Sequence, residues 1–67
     1  MRSQIIQALI QHFESHITKH KMNIEVMLGN PMAIHDHTDL LGAIEKEIAI
    51  IAEYMDKLEA VEKHFKE

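Results

Sequence analysis

Between Arg2 and Leu28 the apolar side chains return at alternating steps of four and three. Ile6, Ile10, Phe13, Ile17, Ile24 and Met27 carry the series, and His20 takes its one polar place. That spacing keeps the set on one face of a helix. Ile5 and Leu9 are expected to widen the seam at its start. The run Leu28-Gly29-Asn30-Pro31 then stops the helix. Gly29 can take the left-handed conformation that closes a helix, and Pro31 cannot continue one. The pattern predicts a helix over about 2–28 and a turn over about 29–37.

A second helix is predicted over about 38–65, a stretch with no proline. Asp36 or Thr38 can cap it, and Asp39 places negative charge in its first turn, where the helix dipole favours it. Gly42 costs about 1 kcal/mol against alanine in a helix interior, which suits a place where another backbone comes close. Leu41, Ile44, Ile48, Ile51, Met55 and Leu58 form one seam, and Leu40, Ala43, Ile50, Tyr54 and Val61 form a second stripe beside it. Glu53 with Lys57, and Glu59 with Lys63, have the favourable four-residue spacing for ion pairs.

The fold class that follows is all-α: one antiparallel two-helix hairpin spanning residues 1–67 as a single domain. Two helices cannot enclose a core, because each covers only one side of the other. A chain below about 80 residues without disulfides usually needs oligomerisation or unusually good packing. The expected assembly is therefore a homo-oligomeric helical bundle, in its smallest form a two-fold dimer of hairpins. Ile44, Ile48, Ile51, Tyr54, Met55 and Leu58 are the expected interface. The alternative is a hairpin whose apolar face docks a different protein, as an adaptor or inhibitor.

Composition narrows the chemistry. The 67 residues include no cysteine, so disulfides, thiolate metal sites and cysteine nucleophiles are excluded. The longest apolar run, Ile48 to Ala52, falls far short of the ~18 residues of a membrane span. The N-terminal stretch has no hydrophobic core of the signal-peptide kind, so an intracellular location is expected. The formal net charge of −4 argues against duplex nucleic acid as a partner. The charge is uneven: residues 1–35 sum to +1 and residues 36–67 to −5. Five of the six histidines lie at or before position 37, so the first half turns positive as they titrate near pH 6.5.

Several groupings carry candidate chemistry. His12, His16 and His20 recur every four residues, a spacing at which two imidazoles on a helix can hold zinc or copper. The same residues can equally form hydrogen bonds to acids of the second helix, and that is the reading taken here; no metal or cofactor is expected. His35-Asp36-His37-Thr38-Asp39 reads first as a capped turn. The start of the second helix also suits an anion, with His37 and Thr38 as donors and Asp36 and Asp39 opposing it. His16, Lys19, His20 and Lys21 form the cluster of positive potential. Three of the five methionines flank the turn, where flexible thioethers suit either adaptable contacts or core filling. No nucleophile arrangement or glycine-rich phosphate loop supports catalysis, so the chain is expected not to be an enzyme.

The segment from Asn23 to Asp39, with Asn30, Pro31, Asp36, His37 and Asp39, resembles small proteins of tailed bacteriophages, notably those of marine cyanobacterial hosts. So does Ile51 to Glu59 with Asp56, Lys57, Leu58 and Glu59, followed by Phe65. Where that pattern often has glycines around the central Ile34, this chain has Ala33 and His35. Phage proteins of this size include oligomeric helical sponges that sequester the cyclic-nucleotide immune signals of the host without cleaving them. The resemblance implies a viral, non-catalytic anti-defence protein acting in the host cytoplasm. It would bind a small anionic nucleotide at clefts between subunits. Lys19, His20, Asn30, His37 and Thr38 are the donors expected to face a phosphate or base.

Overall fold

A computed structural model describes residues 1–29 and 39–66. Helix α1 runs Arg2–Gly29 and helix α2 runs Leu40–His64, packed antiparallel along their length. The molecule measures 49 × 15 × 13 Å, close to the ~42 Å that 28 helical residues span. Two helices side by side make a rod, and among the described residues its interior is the contact between them. Arg2 joins the two ends: its Nη2 donates to the Phe65 carbonyl at 2.7 Å. The expected turn, including Asn30, Pro31, His35, Asp36, His37 and Thr38, lies outside the described residues.

The α1 seam packs as the spacing predicts. Ile6, Phe13, Ile17, His20, Ile24 and Met27 are half-buried, and Ile10 is buried at 5% exposure. Ile5 and Leu9 do not widen it: Ile5, about a quarter-turn from its centre, is 53% exposed, and Leu9, at the seam's edge, is 38% exposed. Gly29 is the last residue of α1 and stays in the helix, without the left-handed closure expected of it.

Asp39 caps α2, so the helix starts at Leu40, two residues later than the sequence pattern suggests. Its side chain accepts from the Gly42 amide at 2.9 Å, and its carbonyl accepts from the Ala43 amide at 3.0 Å. The role of Gly42 differs from the expected one. A Cβ there would collide with the Asp39 carboxylate, so the glycine makes room for the cap and not for another backbone. At the far end the amides of Phe65 and Lys66 both donate to the Val61 carbonyl, and Lys63 and His64 put positive charge in the last turn.

Of the two apolar stripes on α2, the second one faces α1. Leu40, Ala43, Ile50 and Tyr54 are half-buried and Val61 is buried. The first stripe is split along its length. Ile44, Ile51 and Leu58 are half-covered by α1, while Leu41, Ile48 and Met55 stand 81%, 53% and 54% exposed. Tyr54, one of the residues expected in the oligomer seam, packs within the chain against Phe13 and His16 of α1.

Candidate functional site

Three polar residues sit inside the seam. His20 projects from α1 where the four-three series demands an inward side chain, and Glu47 meets it from α2. The His20 Nδ1 and Glu47 Oε1 are 2.7 Å apart, and Asn23 Nδ2 donates to the same oxygen at 2.8 Å. These two hydrogen bonds hold the Glu47 carboxyl below its ordinary range, against the opposing pull of partial burial. His20 thus makes the hydrogen bond to an acid of the second helix that its place in the seam suggests. Glu47 and Asn23 escaped the sequence reading. The signal was present for Glu47: Leu40, Tyr54 and Val61 leave a vacancy at the seven-residue step, and Glu47 fills it.

One flank of the hairpin carries a chain of rings. His16 stacks on Tyr54 with centroids 4.4 Å apart and planes 6° from parallel. His12 meets His16 edge-on at 4.5 Å, and Phe13 lies 6.1 Å from Tyr54. Lys57 places its Nζ 4.7 Å from the Tyr54 centroid while also pairing with Glu53 at 3.5 Å. Partial burial holds His16 below the ordinary imidazole range, and the neighbouring basic side chains His12, Lys19, His20 and Lys57 push it the same way. A shallow concavity of about 400 Å³ lies beside this cluster, lined by Ala8, Gln11, His12, Ser15, His16 and Lys19. All six residues belong to α1, so it is a depression on one helix and not a cleft between elements.

Of the expected ligand donors, Lys19 is exposed on this flank and His20 is turned into the seam. Asn30, His37 and Thr38 lie outside the described residues. Among the described residues no three His, Asp or Glu side chains are placed to share a metal ion, and neither helix is long and apolar enough to cross a membrane.

The other flank is apolar. Leu41, Ile48 and Met55 recur at seven-residue intervals and form an exposed ridge along α2, backed by the half-covered Ile44, Ile51 and Leu58. Regular heptad spacing of exposed large side chains is the pattern of a helix that packs against another helix. No protein-family model, curated protein or solved structure matches the chain. The geometry defines the class, a two-helix hairpin with one apolar and one imidazole-rich flank.

Proposed function

We propose that this chain is a non-catalytic helical hairpin that works as a homo-oligomer, with the α2 ridge covered by a second copy. The uncovered ridge of Leu41, Ile48 and Met55 carries this reading. Large apolar side chains aligned on one face are unfavourable in water, each fully buried one contributing about 1.5–3 kcal/mol on leaving it. Light scattering at increasing protein concentration tests it. A mass of at least two chains is expected, falling to one chain in Ile48→Glu with helical circular dichroism retained, since Ile48 is already half in solvent. A single chain at all concentrations overturns it and leaves the ridge to a different protein.

A second reading has its own support. The basic side chains gathered round His16, with Lys19 exposed among them, favour capture of a small anion such as a nucleotide. A host nucleotide signal is the ligand that the phage resemblance implies. With one tyrosine and no tryptophan, the protein absorbs weakly at 280 nm, so a co-purified nucleotide would dominate its spectrum near 260 nm. Calorimetric titration with cyclic dinucleotides and cyclic trinucleotides is expected to give heat, reduced in Lys19→Ala. No heat at any concentration removes the nucleotide reading and leaves self-association untouched.

A further inference from the structure

The spacing of the apolar stripe on α2 reads the same in both directions, and its residue types match in two of the three pairs. Leu41 and Leu58 are equidistant from the midpoint between Ala49 and Ile50, and so are Ile44 and Met55, and Ile48 and Ile51. We infer that α2 pairs with α2 of a second copy, antiparallel, about a two-fold axis passing between Ala49 and Ile50. This rests on the self-association proposed above and adds its partner face, direction and register.

In that register Leu41 meets Leu58 of the partner subunit, Ile44 meets Met55 of the partner subunit, and Ile48 meets Ile51 of the partner subunit. Two-fold symmetry then repeats each contact. An isologous interface requires a surface complementary to itself, and a palindromic stripe satisfies that for side-chain size as well as position. The exposure pattern agrees. Leu41, Ile48 and Met55 are the exposed members of the ridge, and Leu58, Ile51 and Ile44 are the members that α1 half-covers. Each layer therefore sets one protruding residue against one recessed residue, which is how knobs enter holes between helices. A parallel pairing would set Leu41 against Leu41 and leave the recessed residues facing one another across a gap.

The imidazole-rich flank with His12, His16 and Lys57 faces away from the pairing surface, so both copies keep it open to solvent.

The chain has no cysteine, so introduced thiols report the register directly. Leu41→Cys and Leu58→Cys chains are prepared separately, mixed under reducing conditions and oxidised. Positions 41 and 58 lie about 25 Å apart along one helix, too far for a bond within a chain or between equivalent positions of an antiparallel pair. The expected product of the mixture is the mixed disulfide, with little dimer from either variant alone. Abundant Leu41→Cys homodimer indicates parallel pairing and overturns the inference while self-association survives. A dimer by light scattering that forms no disulfide in the mixture places the contact on another face, with the same consequence. Single chains by light scattering overturn both.

Discussion

Nδ1 of His20 lies 2.7 Å from Oε1 of Glu47, across a seam lined mostly by apolar side chains such as Ile10, Phe13, Ile50 and Val61. Asn23 completes the group from the next turn of α1. A slip of α2 by seven residues would set His20 against Leu40 or Tyr54 and leave Glu47 facing apolar side chains. The contact therefore selects one register of the hairpin, the best-attested use of a buried polar pair. Glu47→Ala is expected to lower the urea midpoint, because it leaves the His20 and Asn23 donors without their acceptor. Replacing both sides, His20→Leu with Glu47→Leu, is expected to recover most of that loss. A double variant as weak as the sum of the two singles contradicts the pairing.

Acid acts on the fold at two places. Folded His16 takes up a proton less readily than the unfolded chain, so stability falls as pH drops below the ordinary value of 6.5. Glu47 has a depressed carboxyl, whose stabilisation is full above the ordinary value of 4.5 and is lost as pH falls through its lower folded value. The melting temperature is expected to decline in two stages between pH 7 and pH 3. His16→Gln removes the upper stage and Glu47→Gln the lower. A wild-type melt that is flat from pH 7 to pH 5 contradicts the assignment to His16.

The α1 face could be read from sequence because one series, Ile6 to Met27, offers the only inward solution. On α2 two neighbouring stripes were both apolar, and spacing alone cannot rank them. What ranks them is the partner: His16 needs a ring to stack on and His20 needs an acid, and only the stripe with Tyr54 and Glu47 supplies both. The seven-residue step points inward at position 47, but a carboxylate there has the composition of a surface position, so spacing and residue type gave opposite answers for Glu47. Lys19 and His20, adjacent in sequence, point to different surroundings for the same geometric reason, a 100° step per residue.

Gly42 offers a test of the cap. Helix propensity alone makes Gly42→Ala stabilising by about 1 kcal/mol. The new Cβ collides with the Asp39 carboxylate, which then swings away and gives up its bond to the Gly42 amide. Loss of a capping bond costs about 1 kcal/mol, so the single variant is expected to be near neutral in thermal melts. In the Asp39→Ala background there is no carboxylate to displace, and Gly42→Ala should then recover the full propensity gain. Equal effects in the two backgrounds would mean that the cap and the glycine are independent.

Ile10 and Leu41 separate the hairpin from its assembly. Ile10 is 5% exposed, in contact with what little core two helices can make, and Leu41 is 81% exposed on the ridge. Ile10→Ala removes buried methylenes and leaves a gap, so it is expected to lower unfolding free energy by about 2–4 kcal/mol at every protein concentration. Leu41→Ala removes almost nothing from the isolated hairpin and should shift its stability by less than about 0.5 kcal/mol. In a self-associating protein, however, stability rises with concentration by mass action. Wild-type melting should therefore climb as the solution is concentrated, and Leu41→Ala should flatten that climb while matching wild type in dilute solution. A Leu41→Ala melt that is lowered equally at all concentrations would place Leu41 in the hairpin's own core, contrary to its exposure.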